Sequence, residues 1–331
     1  MLRLIRGQIF LVGLALSVVL GFWGHSWLSP LASITWIKTV IVLTVMSMMA
    51  APVPLELFVR TVSKPWPGIL ASIICLGITP ILGWLGHFLL QPELAGGLIV
   101  ACCVPSTLAS SAVMTRKAGG DDTVAIFVTI ITNLGCVVAT PFWLVFLMGE
   151  GATLGVLDLV KELALLVVLP IVVMQTFRRV SPKFSDWAKK VKGELSVACQ
   201  VGILLMVCLG AVQMGDKWDD PGSSSGFSLL AVSAVVVLGL SIHLSSLILS
   251  LFSAHATGVR REQAIGVAFS ASQKTLMIGI NLAIDYDVSI LPMIAYHVAQ
   301  LLADALIAEY WSRNWASEEP KGSGVTKPSQ G

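Results

Sequence analysis

Long apolar segments, separated by short connections that contain proline, glycine or charge, follow one another along most of the chain. A helix that crosses the hydrocarbon core of a bilayer needs about 20 consecutive, mostly apolar residues. Ten segments of roughly this length can be read from the sequence: Gln8–Leu28, Ile34–Ala51, Pro67–Leu90, Glu93–Ala118, Thr123–Met148, Leu154–Phe177, Leu195–Met214, Phe227–Ala254, Gln263–Ile284 and Ser289–Trp311. The pattern predicts an all-α polytopic membrane protein with ten transmembrane helices.

The ten predicted spans divide into two halves of five. Because each half has an odd number of spans, the second half starts on the opposite side, and any kinship between the halves is an inverted repeat. Spans four and nine share a polar cluster at mid-span and an acidic hairpin after it, which supports such kinship. We expect a first repeat over residues 1–150, a second repeat over residues 151–315 and a disordered tail over residues 316–331.

Basic residues are distributed unevenly between the two sides of the predicted spans. Of the 21 lysines and arginines, 17 fall on one side, three (Lys38, Lys161 and Lys217) fall on the other, and Lys274 lies inside a span. Cytoplasmic loops of membrane proteins are enriched in Lys and Arg. The distribution predicts a multi-pass protein of the cell membrane (inner or plasma membrane), with both termini and the tail in the cytoplasm.

Composition narrows the class of protein further. The chain of 331 residues is 56% hydrophobic and only 12% charged, whereas soluble domains are about 25% charged. Most of its surface is therefore expected to face a lipid bilayer. The net charge of +2, without a basic soluble region, argues against nucleic-acid binding. The six cysteines lie in apolar runs without CxxC spacing, so we expect neither a disulfide framework nor a cysteine metal site.

Motifs of catalysis are missing from the predicted spans. They contain no HExxH, no GxSxG and no pair of catalytic aspartates, and the chain has no GxxxxGK[ST] motif for ATP. We therefore expect neither an enzyme nor an ATP-driven pump.

Span four contains polar residues at the depth where a membrane helix is normally apolar. Pro105 lacks an amide hydrogen, and Ser106, Thr107, Ser110 and Ser111 follow it closely. Interrupted backbone survives at membrane depth only where protein or water surrounds it, because lipid offers no hydrogen-bond partners. The cluster predicts a broken helix whose hydroxyl groups bond the freed backbone or a ligand.

Span nine carries a matching cluster at its middle, formed by Ser270, Ser272, Gln273 and Thr275. Two interrupted helices at matching places indicate a binding site near the midplane of the membrane. The alternative is that these hydroxyl groups only join neighbouring helices and that Pro105 is an ordinary kink.

Lys274 lies near the middle of span nine, where a charged side chain costs at least about 2.5–3.5 kcal/mol. Its ammonium could fill the place of a sodium ion, take up and release a proton, or attract an anionic substrate; the alternative is a permanent structural ion pair. His297, Gln300 and Asp304 share one face of span ten. Asp304 could neutralise Lys274 and His297 could relay a proton; the alternative is a packing face whose polar groups are satisfied internally. His243, in span eight, is expected to be structural.

Three stretches of the chain resemble a known family: "PSTLASSAVMTRKAGGDDTVAIF", "SQKTLMIGINLA" and "LPMIAYHVAQLL". They are similar to the bile acid:sodium symporter superfamily, and most of all to its SBF-like branch of bacterial proteins and a related orphan eukaryotic solute carrier. The resemblance covers nearly the whole chain. It implies ten helices in a five-plus-five inverted repeat, with broken helices 4 and 9 that cross at mid-membrane. It also implies a core domain and a panel domain, both formed from the two repeats.

In sodium-coupled members of this superfamily the ions lie near that crossing. The resemblance places the matching oxygen ligands at Ser110, Ser111, Thr129, Thr132, Asn133 and Gln273, and implies a sodium site at Ser110, Ser111, Asn133 and Gln273. The sequence departs from the pattern in two ways. A glutamate of helix nine is missing near Phe269 or Ser270, and Lys274 stands where an amide is usual. Both departures make the electrostatic field less favourable for sodium, so proton coupling or uncoupled flux is the alternative.

The resemblance implies a secondary active transporter that moves a small organic anion by alternating access, coupled to sodium or to protons, with no other cofactor. An anion suits a site of hydroxyls, amides and one cation. The candidate substrate- or ion-binding residues are Ser106, Thr107, Ser110, Ser111, Thr129, Thr132, Asn133, Ser270, Ser272, Gln273, Lys274, His297 and Asp304. The alternative is a membrane regulator of another transporter, or of calcium homeostasis, with no flux of its own.

Overall fold

The computed structural model describes residues 2–54, 65–107, 110–149, 155–218 and 229–315. Within these ranges all regular secondary structure is helical. The helices are α1 (Leu2–Trp23), α2 (His25–Ala32), α3 (Thr35–Ala50), α4 (Trp66–His87), α5 (Pro92–Cys103), α6 (Ser110–Lys117), α7 (Asp122–Met148), α8 (Val156–Leu163 and Leu169–Val180, joined by a π-helical turn), α9 (Pro182–Lys190), α10 (Lys192–Trp218), α11 (Leu229–Ala256), α12 (Arg261–Ser272), α13 (Leu276–Asp285) and α14 (Leu291–Trp315). The predicted tail, 316–331, lies outside the described residues.

Six segments of the described chain are long and apolar enough to cross a membrane: Trp66–His87, Asp122–Met148, Lys192–Trp218, Leu230–Ala256, Arg261–Asp285 and Leu291–Asn314. A seventh forms if α1 and α2, which are bent by 95° against each other, count as one span. The chain is therefore a multi-pass helical membrane protein. The count of ten spans stays a prediction. The helices at predicted spans two and four, Trp36–Ala50 and Leu94–Cys103, are shorter than a bilayer requires, and α8, at predicted span six, is not among the membrane-crossing segments.

The helices pack in two groups. The panel group consists of α1–α3 and α8–α10, and the core group consists of α4–α7 and α11–α14. The closest contacts between the groups are made by α7 with α8, and by α13 with α3 and α10. Each group thus combines helices from both halves of the chain, and α13 lies at the boundary between them.

The α12–α13 segment forms the centre of the core group. Its most apolar membrane window is 94% buried, whereas the corresponding windows of the other five segments are 39–56% buried. Small residues permit this close packing, because α12 reads REQAIGVAFSAS. A helix enclosed on all sides by protein can hold polar side chains at a depth where lipid would forbid them.

The hairpin before α7 is held by a side-chain cap. Asp121 Oδ1 accepts a hydrogen bond from the Thr123 backbone N–H over 3.0 Å, and the Asp121 N–H donates to Glu262 O over 2.8 Å. A carboxylate at this place also suits the positive end of the helix dipole. The hairpin therefore ties α7 to the first turn of α12.

The crossing of α1 and α10 depends on a glycine. A Cβ atom placed on Gly21 would lie 2.3 Å from the carbonyl oxygen of Cys208, whereas a Cβ on Gly193, also in α10, would meet nothing within 4 Å. Membrane helices commonly use small residues to bring their backbones together.

We predict that Gly21→Ala lowers the stability of the purified protein by about 1–3 kcal/mol, because the added methyl group forces α1 and α10 apart. Gly193→Ala is the matched control and should leave stability unchanged or slightly raised, since alanine favours a helix. Thermal unfolding in detergent measures both variants. Equal melting temperatures for the two variants would contradict the described crossing.

Candidate functional site

Two helix interruptions lie next to each other inside the core group. Helix α5 ends at Cys103, Val104 has extended backbone angles, and α6 begins at Ser110. Helix α12 ends at Ser272, Gln273 and Thr275 are extended, and α13 begins at Leu276. Both interruptions fall within the polar clusters singled out in the sequence.

The two interruptions bond to each other. The Thr275 backbone N–H donates to Pro105 O over 3.0 Å, and the Ser106 hydroxyl donates to Ser270 O over 2.6 Å. Each extended segment thereby supplies a partner for a backbone group that the other cannot satisfy within a helix. The unwound backbone is satisfied by protein, as the apolar surroundings require.

Helix α7 supports the first interruption from the side. Asn133 Nδ2 donates to Ser106 O over 3.0 Å and to Thr129 O over 2.8 Å, while Thr132 Oγ1 accepts from the Ser106 N–H over 3.3 Å. The Asn133 Oδ1 atom is buried and has no hydrogen-bond partner among the described residues. This side chain therefore retains one unused acceptor beside the crossing.

Hydroxyl groups gather around the carbonyl of Thr107. Thr129 Oγ1 donates to Thr107 O over 2.9 Å, and Ser111 Oγ donates to the same oxygen over 3.2 Å. The two hydroxyl oxygens lie 3.4 Å apart. All three groups are buried, so this oxygen-rich spot lies inside the protein.

Gln273 connects the two interruptions to α14. Its Oε1 accepts from Thr107 Oγ1 over 2.8 Å and from Ser110 Oγ over 2.7 Å, and its Nε2 donates to Asp304 Oδ2 over 2.5 Å. The other carboxylate oxygen, Asp304 Oδ1, contacts His243 Nε2 over 2.9 Å. A continuous hydrogen-bond chain thus runs from the hydroxyls of the first interruption to His243.

The expected partner of Lys274 is wrong. Asp304 does not neutralise Lys274, because its two oxygens are bonded to Gln273 and His243. His243 contacts acceptors through both ring nitrogens, since Nδ1 lies 3.2 Å from Ser272 O. Asp304 and His243, both fully buried, therefore form a pair that does not include Lys274. The tertiary packing of α11 against α14 creates this pair, and helical spacing along one helix could not reveal it.

Lys274 is fully buried and its ammonium points at backbone oxygens. Nζ donates to Cys75 O over 2.6 Å and to Val104 O over 3.0 Å, with Cys75 Sγ at 3.6 Å. The peptide groups around Lys274 are held by Gln300, whose Oε1 accepts from the Lys274 N–H over 2.9 Å and whose Nε2 donates to Lys274 O over 3.0 Å. His297 Nδ1 lies 3.4 Å from the same carbonyl.

A proline in α4 explains why the carbonyl of Cys75 is free to accept from Lys274. In α4 the π-helical turn Ile74–Ile78 directs the Thr79 N–H to Ile74 O, and the next residue, Pro80, has no N–H to donate. The carbonyls of Cys75 and Leu76 therefore lose the donors that a regular helix supplies. Cys75 O accepts from the ammonium instead, and Leu76 O accepts from Trp143 Nε1 over 2.6 Å. A proline inside an apolar span was the sequence signal for this arrangement.

The hydroxyl groups of Ser270 and Ser272 play a more local part. Ser270 Oγ donates to Gly266 O over 2.5 Å and Ser272 Oγ to Ala268 O over 2.9 Å, both within α12. Their carbonyl oxygens, in contrast, accept hydrogen bonds from other helices and segments. Ser270 O accepts from the Ser106 hydroxyl, and Ser272 O accepts from the Tyr296 hydroxyl over 3.0 Å.

A cavity of about 280 Å³ opens between the panel and core groups and reaches the first interruption. Of the predicted site residues, Thr107, Ser110, Thr129 and His297 line it. Arg116 and Lys192 line it as well, and no aspartate or glutamate is among the lining residues of the described chain. The remaining predicted residues lie outside the lining and are Ser106, Ser111, Thr132, Asn133, Ser270, Ser272, Gln273, Lys274 and Asp304.

Comparison with known proteins adds an independent line of evidence. Residues 8–313 match the model of the SBF-like CPA transporter family. The chain is 27% identical over 274 residues to BASS4, a probable sodium/metabolite cotransporter of Arabidopsis thaliana chloroplasts. The matched region covers 76% of this chain and 60% of that protein. It is 26% identical over 242 residues to sodium/bile acid cotransporter 7 of Rattus norvegicus, covering 70% of this chain and 68% of that protein.

A bacterial protein is also similar to this chain. The chain is 27% identical over 234 residues to the uncharacterized protein PA2026 of Pseudomonas aeruginosa, covering 68% of each chain. The match to the family model includes both interruptions, the buried lysine and the cavity. The resemblance seen in the sequence is confirmed, and the chain belongs to the SBF-like CPA transporter family.

Proposed function

We propose that this protein is a secondary active transporter that moves a small organic anion together with a coupling cation by alternating access. The observation that carries the proposal is the cavity between the panel and core groups, which leads from Arg116 and Lys192 to the hydroxyls of Thr107 and Ser110. A crevice of this kind, ending at interrupted helices, is where secondary transporters bind their substrates.

The lining of the cavity favours an anion. Two basic side chains and several hydroxyl groups face it, and no acidic side chain of the described chain joins them. Arg116 is partly neutralised by an ion pair with Asp122. The volume of about 280 Å³ lies just below the range of about 300–1,000 Å³ that is usual for ligand pockets. A small carboxylate or sulfonate fits these limits better than a bulky amphiphile.

The coupling cation is proposed to be sodium, which appears in the names of the two cotransporter relatives. The candidate ligands Ser110, Ser111, Asn133 and Gln273 would bind a cation through hydroxyl and amide oxygens, which a hard cation prefers. Asn133 Oδ1 has no partner in the described chain, and Ser110 is already bonded to Gln273 Oε1. A cation that binds here would also bond Thr107 and Thr129, whose oxygens belong to the same cluster.

Lys274 is proposed to supply a permanent cation at the crossing. Of the three functions considered for its ammonium, filling the place of a sodium ion agrees best with two carbonyl ligands at 2.6 and 3.0 Å. Direct attraction of a substrate agrees less well, because Lys274 does not line the cavity. The protein would then need fewer mobile cations than a relative without the lysine.

The finer architecture belongs to the same proposal. Ten spans in two inverted repeats, with a core domain moving against a panel domain, would explain why both helix groups draw on both halves of the chain. The interruptions at Val104–Thr107 and Gln273–Thr275 would be the broken helices 4 and 9 of that plan. We further propose a cell membrane location, with both termini in the cytoplasm, from the excess of basic residues on one side.

Counterflow in proteoliposomes tests this function. We predict that the purified protein exchanges small carboxylates or sulfonates, and that an inward sodium gradient drives their accumulation. Gln273→Leu should reduce uptake at least tenfold, because it removes the acceptor shared by Thr107 and Ser110. Ser233→Ala is the control, since this exposed hydroxyl bonds only its own helix. Exchange that is absent for every anion, or that Gln273→Leu leaves unchanged, would refute the proposal; a proton gradient that replaces sodium would reassign the coupling ion.

The proposed place of Lys274 makes a separate prediction. Lys274→Met should destabilise the protein by about 1–3 kcal/mol for each carbonyl that is left without a donor. Lys274→Gln should fold better, because its amide can still donate, and it should change the sodium dependence of uptake. Lys161→Gln removes an exposed lysine and is the control. Unchanged uptake and unchanged ion dependence in Lys274→Gln would overturn the assignment.

A further inference from the structure

A second polar cluster joins the panel and core groups at the end of α13 that lies away from the cavity. Lys38 of α3 forms an ion pair with Asp285, and Asn281 of α13 donates to Glu162 Oε1 of α8 over 3.0 Å. Asp285 follows the cavity-lining Thr275 by ten residues, or about 15 Å along a helix. The cluster therefore joins the two groups at the end of α13 opposite to the cavity-lining Thr275.

Two carboxyl groups share one amide in this cluster. Asn281 Nδ2 donates to Glu162 Oε1 over 3.0 Å and to Asp285 Oδ2 over 2.8 Å. One nitrogen atom therefore holds an oxygen of each carboxyl group within 3.0 Å of itself, and this brings the two groups close together. Two ionised carboxylates so placed repel each other, and a proton on one of them removes the repulsion.

The lysines near these carboxyl groups belong to α3, α8 and α10. Lys38 is paired with Asp285 on the side of α3. The other lysines at this end have carboxylates of their own: Lys217 of α10 lies 2.9 Å from Asp287, and Lys161 of α8 lies 3.2 Å from Asp158. When Glu162 and Asp285 are both ionised, two like charges are held beside one amide, and their repulsion favours uptake of a proton.

Two buried polar atoms beside the carboxyl groups have no hydrogen-bond partner among the described residues. They are Asn281 Oδ1 and the hydroxyl of Tyr286, whose side chains belong to residues only 1% and 3% exposed. Burial raises the pKa of Tyr286 to about 12, so the phenol keeps its proton. Asn281 Oδ1 is an acceptor that lacks a donor, and the site contains two candidate donors for it: the Tyr286 hydroxyl and a protonated carboxyl group.

We propose that Glu162 and Asp285 form a proton-binding site that holds the panel group against the core group at this end. With one proton on the pair, the carboxyl groups attract each other and α8 stays against α13. When the proton leaves, two like charges on separate helix groups repel and this end opens. The role of this opening in a transport cycle rests on the proposed function. The binding of the proton does not rest on it.

Linkage fixes the direction of the pH effect. The closed arrangement brings the two carboxyl groups together and therefore binds the proton more tightly than an open arrangement would. Protonation must then favour the closed arrangement to the same extent. Acidic conditions close this end of the molecule, and alkaline conditions open it.

Infrared difference spectroscopy of the full chain in nanodiscs tests for the proton directly. We expect a carboxylic-acid C=O band at neutral pH that disappears on alkalinisation. The band should be absent in Glu162→Gln and retained in Asp158→Asn, which changes an exposed carboxylate on the same helix. The wild-type titration needs no variant to fold. A wild type without the band, or a band that survives in Glu162→Gln and in Asp285→Asn, would overturn the proposal.

Spin labels test the opening without any substrate, so the result is independent of the transport assay. Leu157 on α8 and Leu230 on α11 are exposed and lie on the panel and core groups. Replaced by labelled cysteines in a Cys208→Ser background, they should show a longer distance population that grows with pH. Glu162→Gln should abolish this growth and Asp158→Asn should not. A pH-independent distance in the wild type would contradict the gate.

Discussion

The structure depends on one constraint: a backbone N–H or C=O group inside an apolar interior must find a partner there. Two helices of the core group are interrupted, and the interruptions satisfy each other through the bond from Thr275 N–H to Pro105 O. A third helix, α4, loses donors at Pro80 and leaves the Cys75 carbonyl without its usual partner. The ammonium of Lys274 donates hydrogen bonds to the Cys75 carbonyl and to the Val104 carbonyl, and so supplies the missing donor to both.

The same constraint places the groups that the proposed mechanism uses. Interrupted backbone exposes carbonyls and requires hydroxyls and amides around it, and these groups are also suitable ligands for a cation. Gln273 links them to the buried pair of Asp304 and His243. The cavity reaches this region from one end of the molecule, while ion pairs and carboxyl groups join the two helix groups at the other. A movement of one group against the other would exchange which end is open.

Much of this arrangement could be predicted from the sequence, and the limits have physical causes. Pro105 and the hydroxyl residues after it marked the first interruption, and hydroxyl residues with Gln273 marked the second, because such residues are unusual in the middle of an apolar span. The partner of Lys274 was predicted wrongly as Asp304, since backbone carbonyls carry no side-chain signature. The pairing of Asp304 with His243 depends on how α11 packs against α14. Spacing along one helix contains no information about such contacts.

The most direct test of the account asks whether Lys274 occupies the position of a cation. Lys274→Ala should leave an empty space between the Cys75 and Val104 carbonyls. We predict that methylammonium or sodium raises the melting temperature of this variant more than that of the wild type, because a ligand that binds only the folded state stabilises it. Lys274→Met, which fills the space with an apolar chain, should not respond beyond the wild type. A Lys274→Ala variant whose melting temperature follows the wild type at every cation concentration would contradict the account.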